Sequence, residues 1–597
     1  MGRARRGRQR GRGPGIGRRP PRPRRDPRRG VVACALGVPQ GAPRRDEAGA
    51  SGEVQGAGEA VLRGAGEVIA LLLALSLGSP LRFLAESVEA QLEAWDVAGA
   101  SKALDELVQT RPDSPEAAYF RGRILFEQGK YDEASKAYAE ATERGLNKGA
   151  LESDARLAKA AAEETKGNEV FESAHFSLRT RPGKDTLLAP YALEALEKAY
   201  SGLTKDLGVE PAHKIRVEIY DSARSLAHVS PLTIEQIKGS GTIALCKYSR
   251  LMVTSPKALL RGYPWLDTVS HEFVHYLVTQ KGRNTVPIWL QEGLAKFLET
   301  RWRGAPGMAV DEMSLSLLQD AAKKGKLIPF AKMHPSIAML PTQEQAALAF
   351  AEVEAAIRLL YQRGGQSALT ELVSGMASGM TDEQAVARAY GKSFEEFEAD
   401  WSAEVKKPRP KAASQKAVRP LVAKKLVFKE DAKGRAEPPP LDPGAIEVPA
   451  DQEGKRAARL GEIFYGRRRW AAAAKEYARA RQRLPREMPQ LARRYAFSEM
   501  QMGRFAEAEE ALRSAVERDP DDEAAQALYA RVLVKRGALD KARVALDNGI
   551  AVDPFDPDLH ATYLEVARGL KDPALEERER KALSLAAGLS GEKGHHE

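Results

Sequence analysis

The chain has 597 residues, too many for one hydrophobic core, so we expect at least three domains or modules. Its hydrophobic fraction of 43% is ordinary for a globular protein, and no apolar run is long enough to span a bilayer. The formal net charge is +10, but residues 1–30 alone carry +12, so the remaining chain is nearly neutral. This distribution argues against nucleic-acid binding by the folded domains.

Residues 1–66 are rich in Arg, Gly and Pro, and this composition predicts a disordered tail. Two interpretations are open: an RGG-like nucleic-acid arm, or a start assigned too early, with translation beginning at a codon such as Val61 or Val68. Residues 67–80 favour the second, because an apolar run followed by small residues is typical of a secretory signal. If segment 61–80 is a signal, we expect export to the periplasm or the medium, and otherwise a cytoplasmic protein.

Residues 81–167 predict helical hairpins. Their small and aromatic residues resemble the tetratricopeptide repeat, and the positions that match are Gly129, Tyr131, Ala134 and Ala141. We expect each hairpin to bury its apolar face on the next one.

Residues 168–405 have a different pattern and predict an α+β domain. Three runs are strand-like, at 176–181, 214–221 and 250–255. Segments with apolar spacings of three and four follow and indicate helices. A Lys-, Pro- and Ala-rich linker is expected over 406–454.

The segment SHEFVHYLV at 270–278 holds the motif with the clearest chemistry. It is expected on a helix that begins near Pro264. Because His271 and His275 are four residues apart, their imidazoles project from one helical face, as zinc ligation requires. Glu272 lies beside that face, where it can act as the general base.

A third ligand is expected from the following segment, PIWLQEGLAKFLE at 287–299. Pro287 opens a second helix, and Glu292 lies 17 residues after His275, a spacing that lets its carboxylate return to the metal. This leaves the fourth zinc position open for water. Gly293, beside the acid in a helix, indicates close packing there.

Residues 455–590 repeat most clearly. Pro485, Pro520 and Pro554 are spaced by 35 and 34 residues, and Ala508 and Ala542 by 34. The glycines Gly466, Gly503 and Gly537 are spaced by 37 and 34 residues. The segment resembles the tetratricopeptide family, which implies protein partners.

The motif HEFVH followed by WLQEGLA resembles the gluzincin zinc peptidases, specifically the bacterial peptidase MA-like group, over about residues 170–405. The resemblance implies a thermolysin-like zincin domain, with a small mixed or antiparallel sheet on the active-site helix and a helical lobe beside it. It implies one Zn²⁺ held by His271, His275 and Glu292, with Glu272 as the base. The whole chain is then a multidomain α+β protein flanked by all-α tetratricopeptide hairpins.

The resemblance also implies groups around the metal. An edge strand that binds extended peptide would lie at Thr242, Ile243, Ala244, Leu245 and Cys246. Many gluzincins place an acid four residues after the glutamate ligand, where this chain has Lys296, so Asp267 is the substitute candidate for orienting a histidine ligand. Its alternative role is a favourable acid at a helix N-terminus.

An oxyanion-stabilising tyrosine is also expected, but Phe350 stands where related domains have one. Tyr361 is the candidate, with Tyr263, Tyr248 and His334 as alternatives. We therefore expect a zinc peptidase acting on peptide or protein substrates. The alternative is a tetratricopeptide scaffold whose zinc domain has little or no activity.

Overall fold

The computed structural model describes residues 79–588, apart from 305–306, 308–311, 334–336, 338–339, 341–342, 408–427, 430–450 and 484–487. The predictions for the tail 1–66, for nearly all of segment 67–80 and for most of linker 406–454 lie outside the described residues. Among the residues that are described, no helix combines the length and the apolar character needed to cross a membrane.

The N-terminal part is helical, as its sequence predicts. Two hairpins and a fifth helix follow one another: α1 (Ser79–Glu93), α2 (Val97–Thr110), α3 (Pro115–Glu127), α4 (Tyr131–Glu143) and α5 (Lys148–Thr165). Small side chains such as Ala118 and Ala134 are fully buried where the helices meet. Gly122 faces the ring of Tyr138 so closely that a Cβ would lie 2.7 Å from it.

The N-terminal hairpins are joined to the sheet by a buried polar network. The Tyr131 hydroxyl contacts Glu218 and both arginines Arg216 and Arg250, and Arg250 lies 3.0 Å from the Glu218 carboxylate. Burial raises the pKa of Glu218, but the two arginines outweigh that effect and lower it. The hairpin and the sheet therefore share one buried ionic core.

A five-stranded mixed sheet forms the centre, with the order β1-β2-β3-β5-β4. Its strands are β1 (Glu169–Glu172), β2 (Phe176–Thr180), β3 (Ile215–Tyr220), β4 (Ala244–Lys247) and β5 (Arg250–Thr254). β2, β3 and β5 are parallel, and β1 and β4 are antiparallel to their neighbours at the two edges. The three strands predicted from the sequence are therefore the parallel core of the sheet.

Helices surround the sheet. They are α6 (Leu188–Leu207), α7 (Ala223–Val229), α8 (Ile234–Ser240), α9 (Trp265–Gly282), α10 (Ile288–Leu298), α11 (Glu312–Lys323), α12 (Gln343–Ala377), α13 (Asp382–Tyr390) and α14 (Phe394–Lys406). Gly365 interrupts α12 with φ 60° and ψ −151°, so this element is two helices across a kink. Helix α9 packs on β4, β5 and α6, which places it in the middle of the domain.

The C-terminal part consists of four helical hairpins. Its helices are α15 (Gln452–Gly466), α16 (Trp470–Arg483), α17 (Pro489–Gln501), α18 (Phe505–Arg518), α19 (Glu523–Lys535), α20 (Leu539–Ile550), α21 (Pro557–Leu570) and α22 (Pro573–Ala587). This architecture matches the prediction of tetratricopeptide hairpins for 455–590.

The turns inside the hairpins share one left-handed residue. It is Gly503 in the second C-terminal hairpin and Gly537 in the third, both with φ 75°. In the first hairpin Arg468 takes this position with φ 55°, whereas Gly466 lies within helix α15. The alignment of Gly466 with the other two glycines, which gave a spacing of 37, is therefore wrong by two residues.

Candidate metal centre

Helix α9 carries two histidines on one face, and its opposite face packs in the domain core. Leu266, Val269, Phe273 and Leu277 are all buried in the domain core, as their spacing predicts. The Phe273 ring packs edge-on against Phe176 of β2, with ring centroids 5.2 Å apart. The helix is therefore fixed against the sheet, and the imidazoles project away from that contact.

Helix α10 carries Glu292 and packs closely on α12. A Cβ at Gly293 would lie 2.8 Å from the Ile357 side chain and 2.9 Å from the Val353 carbonyl oxygen. Only glycine allows this approach of the two backbones, in agreement with the packing predicted from Gly293. The approach sets the depth at which the neighbouring Glu292 carboxylate enters the domain.

The structure brings His271, His275 and Glu292 together. Their ligand atoms all lie within 4.8 Å of one another. The Nε2 atoms of the two histidines are 3.2 Å apart, and Oε2 of Glu292 is 3.5 Å from the first and 3.6 Å from the second. Ligands about 2 Å from a tetrahedral zinc are roughly 3.3 Å from one another, so this triangle has the size that zinc needs.

The donor atoms also fit a metal by their environment. Oε2 of Glu292 is buried and has no hydrogen-bond partner among the described residues. A buried carboxylate oxygen without a partner is costly, and a cation bound between the three side chains would satisfy it. Two imidazole nitrogens and one carboxylate oxygen form a donor set that zinc accepts, with one position left open.

Electrostatics in this cluster favour a cation. Burial lowers the pKa of the His271 imidazole, but the carboxylates of Glu292 and Glu299 outweigh that effect and raise it to about 10. Burial raises the pKa of Glu292, but the facing histidines outweigh it and lower the pKa to about 2. Both shifts show that the cluster favours positive charge, as a site for a divalent cation would.

A second carboxylate lies behind the cluster. Nδ1 of His271 is 3.0 Å from Oε2 of Glu299, and Oε1 of Glu299 is 2.6 Å from the Lys296 ammonium. Glu299 thus holds the ring so that Nε2 points toward Glu292. Glu299 is not among the predicted site residues, although its spacing is a signal: seven residues after Glu292 is two helical turns further along the same face.

The proposed role of Asp267 is wrong. Its carboxylate accepts hydrogen bonds from Nε1 of Trp302, at 2.7 Å, and from the guanidinium of Arg303, at 3.1 Å. The carboxylate that contacts His271 is that of Glu299. Spacing along α9 suggested Asp267, but the segment that follows α10 supplies two donors that bind it instead.

Glu272 is 1% exposed and lies next to His271 in the chain. Its negative charge, together with burial, raises the pKa of the Cys246 thiol, and it also raises the pKa of His271. The charge of Glu272 therefore acts on the edge strand at Cys246 and on the His271 imidazole.

The segment predicted to bind substrate lies at an edge of the sheet. Ala244, Leu245 and Cys246 belong to β4, which is at the edge of the sheet and packs against α9. Thr242 and Ile243 come just before it, and the carbonyl of Ile243 accepts a hydrogen bond from Thr254 N–H. β4 is antiparallel to β5 and pairs on that side only within the described residues.

The described oxyanion candidates lie in three different contacts. Tyr361 packs on Phe297 at the contact of α12 with α10, with ring centroids 5.2 Å apart. Tyr263 donates its hydroxyl hydrogen bond to the carbonyl of Thr254. Tyr248 packs edge-on against Phe126 of the N-terminal hairpin. Phe350 is half-buried, and His334 lies outside the described residues.

Family comparisons agree with this division of the chain. A family model described as Peptidase MA superfamily matches residues 195–407. Tetratricopeptide repeat models match residues 464–531 and 499–563 in the C-terminal part, and 87–150 and 121–169 in the N-terminal part. The chain therefore contains a Peptidase MA superfamily domain between two sets of tetratricopeptide repeats.

Comparisons with whole proteins add little. No curated protein matches the chain. Two solved structures that resemble it are the APC/C hetero-tetramer Cut9-Hcn1, at 10% identity and a TM-score of 0.24, and native yeast LTA4 hydrolase, at 11% identity and a TM-score of 0.28. The first match covers 87% of this chain and 82% of the other, and the second covers 70% and 66%. At these TM-scores neither likeness carries an argument.

Proposed function

We propose that the protein is a zinc-dependent metallohydrolase that cleaves peptide bonds. The observation that carries the proposal is the convergence of His271, His275 and Glu292 around an unsatisfied buried oxygen, with Glu272 beside them. The match of residues 195–407 to the Peptidase MA superfamily supports a peptide as the substrate class. When bound, one zinc ion supplies Lewis acidity to the reaction.

The side chains of this chain have separate roles in the proposal. The two histidines and Glu292 hold the ion, and Glu299 orients the His271 ring. Glu272 takes a proton from the attacking water as general base and passes it to the leaving amine. Because Glu272 is buried, its carboxylate acts in a water-poor site, where its interaction with a developing charge is strong.

Substrate binding in this proposal uses the edge of the sheet. An extended peptide can add to β4 by main-chain hydrogen bonds, because that edge has no strand partner among the described residues. Glu272 is near Cys246 of that strand, so a peptide held there would pass the base. The helical repeats on both sides would bind protein partners or substrates.

The test is hydrolysis of a peptide library by Glu272→Gln. We expect this variant to lose at least about a thousandfold in kcat while keeping one bound zinc, since the ligands are intact. Glu235→Gln, an exposed glutamate on α8, is the matched control and should retain full activity. Full activity of Glu272→Gln on every substrate that the wild type cleaves would rule out the mechanism.

A second candidate is a tetratricopeptide scaffold with a zinc site of low turnover. It is favoured by the hydrogen bond of the Tyr263 hydroxyl to Thr254 and by a phenylalanine at position 350, because a peptidase needs a donor for the oxyanion. A zinc-loaded wild type that cleaves no member of the library would support the scaffold. Cleavage that stops on chelation of zinc and returns when zinc is added would support the peptidase.

A further inference from the structure

The N-terminus of helix α9 has no side chain of its own to cap it. Its N-cap is Pro264, which makes no side-chain cap hydrogen bond. The first N–H groups of a helix have no partner within the helix, and leaving them buried without one is costly. The N–H groups of Tyr263 and Trp265, both buried residues, must therefore find acceptors elsewhere.

The acceptors come from the C-terminal repeats. The Tyr263 N–H donates to the carbonyl of Val552 at 3.2 Å, and the Trp265 N–H donates to that of Ala551 at 3.0 Å. The indole Nε1 of Trp265 donates to the carbonyl of Ile550 at 2.9 Å. Ile550 is the last residue of helix α20, whose final carbonyls also lack partners within their own helix. The positive N-terminus of α9 and the negative C-terminus of α20 therefore meet at these hydrogen bonds.

A side-chain contact strengthens this junction between the start of α9 and the end of α20. Arg303 binds Asp267 in the first turn of α9 and also donates to the amide oxygen of Asn548 in α20, at 2.9 Å. Arg303 lies just after α10, the helix that carries Glu292 and has Glu299 as its C-cap residue. The end of α20 is therefore tied to both helices that supply the candidate metal ligands.

The docked repeats also share a core with the metal domain. Leu546, Ile550 and Leu559 belong to the same continuous hydrophobic core as Phe273 and Leu277 of α9. In contrast, helices α15 to α18 pack around two small cores of their own. A buried contact at α22 adds a second anchor, since the Tyr191 hydroxyl of α6 donates to Glu579 at 2.9 Å. The last two hairpins therefore belong to the metal domain structurally.

We propose that the last two C-terminal hairpins, α19 to α22, are a positioning element of the metal centre. The end of α20 fixes the first turn of α9, which lies directly before His271. When this junction loosens, α9 loses its cap, the spacing of the ligand atoms widens, and the affinity for zinc falls. This inference rests on the proposed function only for the identity of the metal.

Gly262 offers a direct way to open the junction. It has φ +63°, and a Cβ placed there would lie 2.3 Å from the carbonyl oxygen of Val552. Gly262→Ala therefore pushes the end of α20 away from α9. Gly325 is the matched control, because it has the same φ of +63° but nothing within 4 Å of a Cβ. Gly325→Ala introduces the same backbone strain, but its added methyl group clashes with no neighbouring atom.

The experiment uses the full-length protein and Zn²⁺, competed against a chromogenic chelator. We expect Gly262→Ala to raise the Kd for zinc at least about tenfold, a loss typical of disturbed support around a metal site, and Gly325→Ala to leave it within twofold. Hydrogen exchange of the metal-free proteins should be faster at the Trp265 N–H in Gly262→Ala alone. Asn548→Ala, which removes only the Arg303 contact, should raise the Kd at least threefold.

An unchanged Kd in Gly262→Ala, or in Asn548→Ala if the first variant does not fold, would overturn the proposal. Its failure is distinct from failure of the proposed function. If the wild type binds no zinc, the proposed function is wrong. If the wild type and the variants bind zinc equally well, only the coupling of the repeats to the metal centre is wrong.

Discussion

Oε2 of Glu299 lies 3.0 Å from Nδ1 of His271, on the side of the ring away from Glu292. A carboxylate in this position fixes the tautomer that leaves Nε2 free to bind a metal, and it raises the basicity of that nitrogen. Lys296 holds the other oxygen of Glu299 at 2.6 Å, so the carboxylate cannot easily turn away. Helix α10 and its C-cap residue therefore supply both a candidate ligand and the support for a candidate ligand on α9.

Replacing Glu299 should weaken zinc binding without removing it. We expect Glu299→Ala to raise the Kd for zinc by about ten- to a hundredfold, because the His271 ring loses its orienting partner while all three ligands remain. Glu371→Ala, an exposed glutamate on α12, is the control and should bind zinc as the wild type does. A wild-type Kd in Glu299→Ala would show that the contact has no part in metal binding.

The ligands themselves were predictable from the sequence, whereas their support was not. The spacing of four residues predicts that His271 and His275 share one helical face. The 17 residues that follow His275 allow a second helix to return Glu292 to the same point. Glu299 could be placed on the same face as Glu292, but its partner depends on how α9 and α10 cross. Asp267 is the opposite case. Its spacing along α9 suggested a contact with a histidine, but its carboxylate binds Trp302 and Arg303 instead.

The left-handed turn of the first C-terminal hairpin should be a weak point of the array. Arg468 holds φ 55°, a conformation that costs a residue with a Cβ about 1 kcal/mol more than glycine. We expect Arg468→Gly to stabilise α15 and α16 by about 0.5–1 kcal/mol, measured as protection of their amides in native-state hydrogen exchange. Arg469→Gly, one residue on, should destabilise them slightly, and a loss of protection in Arg468→Gly would contradict the account.

Glu352 should make stability depend on pH. Burial raises its pKa from 4.5 to about 8, and its carboxyl accepts the backbone N–H of Ile328, at 3.0 Å. Between pH 4.5 and 8 the folded protein keeps a proton that the unfolded chain releases. The stabilising effect is therefore complete below pH 4.5 and is lost as the pH rises through 8, by up to about 1.4 kcal/mol per pH unit.

Glu352→Gln should remove that dependence, since the amide stays neutral and its oxygen can still accept from Ile328. We expect the variant to be more stable than the wild type at pH 8 to 9 and close to it at pH 5, in denaturant titrations. Glu371→Gln serves as the exposed control. Parallel stability profiles of wild type and Glu352→Gln over this range would show that Glu352 is ionised in the folded protein.

Most of the fold follows from periodicities in the sequence, and the exceptions have physical causes. The parallel strands β2 and β3 alternate apolar with polar residues, and β5 contains three consecutive apolar residues, patterns that can be recognised in the sequence. The short edge strand β1 has the sequence EVFE and is mostly exposed, so its hydrogen bonds to β2 define it more than its composition does. The junction of Trp265 with Ala551 joins residues almost 300 positions apart through backbone atoms, which no side-chain pattern can indicate.

Zinc content of the purified protein tests the central claim most directly. Wild type and Glu292→Ala should be prepared under identical conditions and analysed for bound metal per chain. We predict close to one zinc per wild-type chain and nearly none in Glu292→Ala after dialysis, because two histidines alone hold zinc weakly. Equal zinc in the two proteins, or none in the wild type supplied with zinc, would contradict a metal centre at His271, His275 and Glu292.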